Sequence, residues 1–185
     1  MKVYRSLAEF DKGQGSVVTV GSFDGVHRGH RLLIDALRAE AAVRGLRGVV
    51  VTFEPHPRLV LRGDNLLLTP FERKLELMEQ AGVDHLMVLN FTKEFAQIPY
   101  DIFVRDYLVG GLGARVVVVG QGHHFGKGKQ GDAEALKAME LEVVYLERFE
   151  NISSTQVRNA IRVGDYDRAS ELLGWRYTDN INSKK

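Results

Sequence analysis

Two histidines, His27 and His30, lie three residues apart in a glycine-rich segment that follows an apolar run and precedes a helical pattern. The sequence over 21–30 is Gly-Ser-Phe-Asp-Gly-Val-His-Arg-Gly-His, which predicts the junction between a strand and a helix. The first backbone N–H groups of such a helix are unpaired and its dipole end is positive, which suits a polyphosphate. Gly25 and Gly29 would let the backbone approach phosphates closely. Two cation-capable imidazoles on one side of the first turn could then stabilise charge on a phosphoryl group.

A second group of chemically useful residues lies near the end of the chain. Ser153, Ser154 and Thr155 stand at a predicted helix start, where hydroxyl side chains are ordinary N-caps. Arg158 follows one helical turn later, so its guanidinium could reach the same anion as the hydroxyls and the helix N-terminus. The combination predicts a second phosphate-binding element.

Two further loops carry candidate residues. Pro55, His56 and Pro57 follow an apolar run, and because two prolines fix φ the segment is predicted to be a stiff, non-helical loop. The loop over 122–129 contains His123 and His124, with Asp132 nearby, which raises the alternative of a metal site. Adjacent histidines point apart in an extended segment and no further ligands have fitting spacing, so we predict no metal bound by protein side chains.

Apolar β-branched runs alternate with helical patterns along the chain. Five runs are typical of strands buried on both faces: residues 16–20, 48–53, 85–89, 115–119 and 142–146. Six segments have a helical pattern: 29–44, 70–80 with Thr69 as its N-cap candidate, 100–109, 133–139, 154–162, and 166–173 ended by Gly174. The alternation predicts an α/β protein with a parallel sheet covered by helices on both faces. Ligands of such sheets bind beyond the carboxyl ends of the strands, where the four segments above should converge.

Three motifs in order resemble those of one enzyme family. They are the segment 21–30, Thr-Phe-Glu-Pro-His-Pro over 52–57, and Ile-Ser-Ser-Thr-Gln-Val-Arg over 152–158. The chain resembles bacterial FAD synthetases, specifically the FMN adenylyltransferase module of the bifunctional riboflavin kinase/FAD synthetases, from about residue 17 to 177. This family belongs to the His-x-Gly-His nucleotidylyltransferases. The resemblance therefore implies a Rossmann-like parallel sheet and transfer of AMP from ATP to FMN, with Mg²⁺ arriving bound to ATP.

The resemblance also implies roles for particular residues. The catalytic set would be His27 and His30, which stabilise the α-phosphoryl group, with Ser154, Thr155 and Arg158, which hold the departing pyrophosphate. Residues that shape or contact the ATP site would be Gly21, Ser22, Phe23, Asp24, Gly25, Gly29, Gly120 and Ser153. Residues on the FMN side would be Pro55, His56, Pro57, Phe103, Gly122 and Phe125. As single aromatics, Phe103 and Phe125 are more often core residues than ligand-stacking ones.

The chain departs from the family pattern at two places. The family usually has Gly-x-Asp/Asn-Phe-Arg-Phe-Gly where this chain has Gly122, His123 and His124 before Phe125. That change affects how flavin would be positioned. The family often has a basic residue where this chain has Asn151, which weakens the local positive field.

Bulk properties limit the function further. With 185 residues, the chain is predicted to form one adenylyltransferase-like domain over 1–185, without the riboflavin kinase barrel of bifunctional relatives. FMN would then come from a separate riboflavin kinase. A net charge of +1 gives no reason to expect a nucleic-acid or membrane partner. Without cysteine, disulfides and thiolate chemistry are excluded, and without an apolar leader segment a cytoplasmic location is expected.

Two alternatives remain open from the sequence. One is a sister transferase, such as a cytidylyltransferase or a pantetheine-phosphate adenylyltransferase, against which the Pro-His-Pro loop and the Phe-Asp-Gly-Val turn argue. The other is a degenerate domain that binds nucleotide or flavin without catalysis. His27, His30 and Arg158 are all present and argue against it, whereas the departures at Gly122 and Asn151 favour it.

Overall fold

A parallel sheet organises the molecule. The computed structural model describes residues 1–63, 66–147 and 152–178. The strands are β1 Lys2–Tyr4, β2 Ser16–Val20, β3 Arg47–Glu54, β4 His85–Asn90, β5 Ala114–Gly120 and β6 Glu142–Leu146. The α-helices are α1 Arg28–Arg44, α2 Pro57–Arg62, α3 Phe71–Gln80, α4 Tyr100–Ile102, α5 Ala133–Ala138, α6 Ser154–Arg162 and α7 Tyr166–Leu173. Helix α4 continues directly as a π-helix over Phe103–Gly111, and short 3-10 turns cover Leu7–Glu9, Asp24–Val26, Phe95–Gln97 and Lys127–Lys129.

The strand order locates the place where a ligand is expected. The order is β1-β4-β3-β2-β5-β6, and every described pairing is parallel. From β2 the chain first moves outward through β3 and β4, and then returns to place β5 on the other side of β2. The direction of winding therefore reverses between β2 and β5, and ligands of open parallel sheets bind at the carboxyl end of such a reversal.

Side chains that alternate along the strands build two cores, one on each face of the sheet. In β2, Val18 and Val20 pack on one face with the π-helix and α5, whereas Val17 packs on the other face with α1 and α3. A third cluster joins α6 and α7 to the loop that precedes α3: Leu68, Val157, Ala160, Ala169, Leu172, Leu173 and Tyr177. This third cluster holds the C-terminal helices at the carboxyl end of the sheet, next to the turn that follows β2.

The sequence predicted most of these elements. All five predicted strands are present with ends within one residue of expectation, because continuous β-branched runs are a strong signal for buried strands. Strand β1 is too short to give a pattern and was missed. Helix α3 begins at Phe71 with Pro70 as its N-cap, so the expectation of Thr69 at that position was wrong. The hydroxyl of Thr69 instead accepts a hydrogen bond from the backbone N–H of Gly25.

The prediction of a non-helical loop for Pro55, His56 and Pro57 was wrong in part. Pro57 is the first residue of α2, and His56 is its N-cap. A proline lacks the N–H that a first-turn residue leaves unpaired, so this position tolerates it. No helix among the described residues is long and apolar enough to cross a membrane.

Candidate active site

The turn after β2 has an unusual backbone. Phe23 and Val26 have positive φ values of 50° and 40°, and Gly25 between them has a φ of 80°. A β-branched residue such as Val26 rarely adopts this conformation, and strain of this kind persists only where the surroundings impose it. Val26 is fully buried, so its packing in the core of the α1 face offsets the strain. The turn thereby directs the chain sharply from β2 into α1.

Polar contacts from distant parts of the chain hold the turn in this shape. Asp24 accepts a hydrogen bond through Oδ1 from the N–H of Leu68 at 2.9 Å, and its backbone oxygen accepts one from Ser154 Oγ at 3.2 Å. The indole N–H of Trp175 donates to the carbonyl of Gly25 at 2.9 Å. The turn is therefore fixed by the loop before α3, by α6 and by the segment after α7.

His27 and His30 lie against each other at the start of α1. Their rings stack with centroids 3.5 Å apart and planes 15° apart. His27 is the N-cap rather than a first-turn residue, and its Nδ1 accepts a hydrogen bond from the N–H of His30 at 3.3 Å. The expectation that the first N–H groups of this helix are unpaired was therefore wrong for His30, whose N–H is capped by the imidazole of His27.

The cap also decides which ring nitrogen of His27 can bind a ligand. Because Nδ1 accepts a hydrogen bond, the proton of the neutral ring is on Nε2, which is a donor. Burial lowers the pKa of His27 to about 4, and the charge on Arg158 acts in the same direction. Burial also lowers the pKa of His30 well below its usual range, and His27 and Lys74 lower it further. Without substrate, both histidines are therefore neutral hydrogen-bonding groups at neutral pH rather than cations.

Arg158 is almost completely buried, with 4% of its surface exposed. Its Nη2 forms an ion pair with Oδ2 of Asp24, and its Nε donates to the carbonyl of Leu66 at 3.0 Å. Helix α6 thus places the guanidinium against the turn that carries the two histidines. Burial is the main reason why the pKa values of His27 and His56 are low, and the charge on Arg158 lowers both further, so this charge acts on the β2 turn and on the loop after β3.

The hydroxyl residues at the start of α6 divide into three kinds of position. Ser153 is the N-cap and forms a capping box with Gln156. Ser154 donates to the turn, as described above, and Thr155 is exposed. Ser153 is thus an ordinary N-cap, the alternative to a role in phosphate binding, and both Ser153 and Ser154 are partly exposed at the cavity between α6 and α1.

A cavity of about 300 Å³ brings together six of the residues predicted for the catalytic and ATP sites, but Thr155 and Arg158 do not line it. Its polar wall contains His27, Gly29, His30, Gly120, Gln121, Glu147, Ser153 and Ser154. Its apolar wall contains Leu32, Leu33, Leu146 and Ile152. The cavity lies at the reversal between β2 and β5, as the strand order requires, and the apolar wall is suited to a flat ring. Gly21, Ser22, Phe23, Asp24 and Gly25 do not line it; Phe23, Asp24 and Gly25 are buried and shape the turn behind it.

The residues predicted for the FMN side lie in separate places. Gly122 lines a second cavity of about 440 Å³, which shares Gly120 with the first and also contacts His123, His124 and Asp132. Phe103 is buried in the core, 6.2 Å from the half-buried ring of Phe125. Asn151, the second departure from the family pattern, lies outside the described residues.

His56 provides an unsatisfied donor in the loop after β3. Its Nδ1 accepts a hydrogen bond from the N–H of Arg58 at 3.0 Å, so Nε2 carries the proton. That Nε2 is buried and no hydrogen-bond partner for it lies among the described residues. Burial, with Lys74, Arg158 and Arg58, lowers the pKa of His56 to about 4. A polar ligand atom beside this loop would satisfy the donor.

Lys74 is a buried cation of this region that sequence reasoning missed. It lies on α3 with 4% of its surface exposed, and its Nζ is close to the ends of β2 and β3. The sequence contained a signal for it, because Lys74 lies three and four residues before Leu77 and Met78 on the apolar face of the helix.

The fold and the cavity place the chain in a class. A parallel α/β sheet with a His-x-Gly-His turn at the winding reversal is a nucleotidylyltransferase-like fold. A crystal structure of pantothenate synthetase from Thermus thermophilus shares this fold, with a TM-score of 0.51 over 94% of this chain and 81% of that one, at 17% identity. The family model described as FAD synthetase matches residues 10–159. The chain belongs to the FAD synthetase family.

Individual relatives agree with this assignment. The chain is 38% identical over 172 residues to the bifunctional riboflavin kinase/FMN adenylyltransferase of Listeria monocytogenes, covering 88% of this chain and 54% of that protein. It therefore spans about half the length of that relative. A crystal structure from Streptococcus pneumoniae, described as a macrolide-efflux protein, superimposes with a TM-score of 0.82 at 30% identity. That match covers 94% of this chain and 60% of the other.

The buried histidines lead to a prediction about stability. We expect the free energy of unfolding to fall as the pH is lowered from 6.5 towards about 4, and His56→Asn to weaken that dependence. In this range the unfolded chain protonates His56 and the folded protein does not, so lowering the pH favours unfolding. The contribution is up to roughly 3 kcal/mol for one such histidine.

Urea unfolding of both proteins at several pH values measures this difference. Asparagine is a suitable replacement because it keeps an acceptor at the N-cap of α2 and does not titrate. Carboxylates titrate in the same range in both proteins and cancel in the comparison. An identical pH dependence for the two proteins would show that His56 is not desolvated in the folded state.

Proposed function

We propose that this chain transfers the AMP group of ATP to FMN, giving FAD and pyrophosphate. The observation that carries the proposal is the single cavity lined by the two stacked histidines and by the hydroxyl residues at the start of α6. Membership of the FAD synthetase family supports FMN as the acceptor.

The chemistry needs positioning and charge stabilisation rather than a nucleophile from the protein. An oxygen of the FMN phosphate attacks the α-phosphorus of ATP, a new P–O bond forms, and the bond to the bridging oxygen of pyrophosphate breaks on the opposite side. In such displacements the protein contributes orientation and hydrogen bonds to the phosphoryl oxygens. The Nε2–H of His27 supplies a donor whose direction is fixed by the cap on Nδ1.

The remaining residues have complementary roles in this proposal. His30 contacts the α-phosphoryl group beside His27, while Ser153, Ser154 and Thr155 contact the pyrophosphate. Arg158, which is paired with Asp24 without substrate, supplies the positive charge behind them. Its guanidinium would also fork onto phosphate oxygens when ATP binds.

Mg²⁺ would enter with ATP, held mainly by phosphate oxygens and water. The two imidazoles and two serine hydroxyls of the cavity are donors that suit phosphate oxygens, whereas Gln121 and Glu147 in the same lining supply oxygen acceptors. Among the described residues, no group of three or more acidic or histidine side chains is arranged to hold a metal ion.

On the FMN side, we assign the loop of Pro55, His56 and Pro57 and the aromatic residues beyond it. Phe53, Phe95, Phe103 and Phe125 form a continuous chain of ring contacts from the end of β3 to the loop after β5. An isoalloxazine could extend this chain by stacking on Phe125, which is half-buried, whereas Phe103 supports it from the core. The orphaned Nε2–H of His56 is available to a polar edge of the flavin or to its phosphate.

The deciding experiment separates flavins by chromatography after the chain is incubated with FMN, ATP and Mg²⁺. FAD with an equal amount of pyrophosphate is the expected result. The described residues form one α/β unit, to which we assign adenylyl transfer alone, so riboflavin should stay unphosphorylated. If the chain made FMN from riboflavin and ATP, the assignment of adenylyl transfer alone would be wrong. A separate riboflavin kinase would then not be needed to supply FMN.

The same assay distinguishes the two alternatives. A sister transferase would release pyrophosphate with another nucleotide or acceptor, so each nucleotide is paired with each acceptor in turn. A degenerate domain would bind ATP or FMN without releasing pyrophosphate in any pairing.

The loop after β5 gives a prediction about affinity. We expect Gly122→Asn to tighten FMN binding several-fold, because the added amide could hydrogen-bond a polar edge of the flavin, which glycine cannot do with a side chain. One good neutral hydrogen bond contributes about 1 kcal/mol. Gly122 has a φ of 74°, and a Cβ placed there would meet no atom within 4 Å. Asparagine tolerates this conformation better than most residues, so the fold should accept the change.

Fluorescence titration of FMN against both proteins tests this expectation. An equal or weaker affinity, with the circular dichroism spectrum preserved, would contradict it. That result would mean that His123 and His124 have taken over the contact that an amide makes in related enzymes.

A further inference from the structure

Lys74 is a buried ammonium without a carboxylate partner among the described residues. It projects from the same face of α3 as Leu77 and Met78, which are fully buried in the core. Removing an ammonium from water is costly unless hydrogen bonds and nearby charge compensate it. A lysine at such a position therefore needs hydrogen bonds that compensate the loss of hydration of its ammonium group, and the location of those hydrogen bonds indicates its role.

Its three hydrogen bonds within the described residues go to the carboxyl ends of two neighbouring strands. Nζ donates to the carbonyl of Phe53 at 3.2 Å, to Oγ1 of Thr52 at 3.3 Å, and to the carbonyl of Ser22 at 3.5 Å. The hydroxyl of Thr52 in turn donates to the same carbonyl of Ser22 at 3.3 Å. One ammonium and one hydroxyl thus bridge the segment after β2 to the end of β3.

Each bridged strand end leads directly into a histidine of the site. Ser22 begins the turn that carries His27 and His30, and Phe53 lies three residues before His56. We propose that Lys74 is a positioning residue for adenylyl transfer, whose buried ammonium holds these two loops in register and keeps a fixed positive charge behind the imidazoles. The inference rests on the proposed function and adds a residue on α3 that does not line the cavity.

The electrostatics of the site agree with this role. Lys74 is among the groups that lower the pKa of His30, together with burial and His27. It is also the first charged group, after burial, that lowers the pKa of His56, followed by Arg158 and Arg58. Lys74 therefore helps to keep both rings neutral, so that they donate hydrogen bonds from a defined nitrogen. Burial lowers its own pKa, against the opposing influence of Glu54 and Asp24.

The test uses two variants of Lys74 and one matched control. Lys74→Met removes the charge but keeps most of the volume, and Lys74→Arg keeps the charge. Lys12→Met is the control, because Lys12 also donates to a backbone carbonyl, that of Gly110, but is exposed and precedes β2 at the opposite end of the sheet. We expect Lys74→Met to lower kcat by about 10-fold, less than the loss of a donor that contacts the phosphoryl group itself, because Lys74 acts only through the loops that it positions. KM for FMN should change less, and Lys12→Met should behave like the wild type.

The pH profile separates this role from a merely structural one. In the wild type, kcat/KM for ATP should fall on the alkaline side as Lys74 loses its proton, below the ordinary pKa of 10.5. In Lys74→Arg the fall should move to higher pH, because a guanidinium stays charged. Ionisation of the substrates is common to both proteins and cancels in the comparison. Equal alkaline limbs in the two proteins, or a folded Lys74→Met with wild-type kcat, would overturn the proposal.

A measurement that does not depend on activity provides a second test of the role of Lys74. Titration of the histidine ring signals by NMR should show higher pKa values for His30 and His56 in Lys74→Met than in the wild type. If Lys74→Met does not fold, Lys74→Arg provides the alkaline limb. A wild-type chain that makes no FAD would refute the proposed function, whereas active wild-type protein with unchanged histidine titrations in Lys74→Met would refute only the role of Lys74.

Discussion

Replacing His27 or His30 by alanine is expected to lower kcat for FAD formation by about 10²-fold or more, the effect of losing one preorganised donor to the reacting phosphoryl group. Each ring lines the cavity, and the two stack at 3.5 Å, so both can reach one phosphate. Binding of FMN should be affected much less, because its proposed site lies beyond β3. Pyrophosphate release under saturating substrates measures the loss.

His27 needs a control because it has two roles. Its Nδ1 caps α1 while its Nε2 is the proposed donor to the phosphoryl group, so His27→Ala should also cost about 1 kcal/mol of unfolding free energy. His27→Asn should recover most of that stability, since asparagine is a good N-cap, but it should not recover turnover. Near-normal pyrophosphate release from both alanine variants would mean that the chemistry occurs elsewhere. Recovery of turnover by His27→Asn would mean that the cap, and not the imidazole, matters.

The double role of His27 also shows where sequence reasoning stops. Spacing alone located the two histidines at a helix start, and the buried β-branched runs located the strands that converge there. Local pattern did not predict that the ring would cap the helix, because serine, threonine, aspartate and asparagine are the usual caps. Sequence reasoning also treated both imidazoles as groups that can carry a positive charge. In the folded protein, burial lowers the pKa of each ring and keeps it neutral.

Contacts between distant residues were beyond prediction for the same physical reason. The pairing of Asp24 with Arg158 joins positions 134 residues apart, and no periodicity encodes it. Arg158 was identified from its spacing to the serines of α6, which is a local relation and agrees with the observed helix. Its burial depends on packing of the C-terminal helices against the turn after β2, which follows from tertiary structure alone.

The second large effect is expected at this ion pair. Arg158→Met should lower the free energy of unfolding by about 3–5 kcal/mol, because it leaves the carboxylate of Asp24 buried without its countercharge. Both side chains are nearly inaccessible, at 5% and 2% of their side-chain surface, so water cannot replace the lost partner. Urea unfolding at neutral pH measures the change.

A double variant separates the structural part of this effect from catalysis. Asp24→Asn combined with Arg158→Met removes both charges and retains an acceptor for the N–H of Leu68, so a substantial part of the stability should return. If Arg158 also binds phosphate during the reaction, the double variant should remain poor at using ATP. Arg158→Lys keeps a charge but loses the fork, so it should raise KM for ATP more than it weakens FMN binding. Full recovery of ATP kinetics in the double variant would make Arg158 a purely structural residue. Loss of FMN binding with unchanged ATP kinetics would instead assign it to the other substrate.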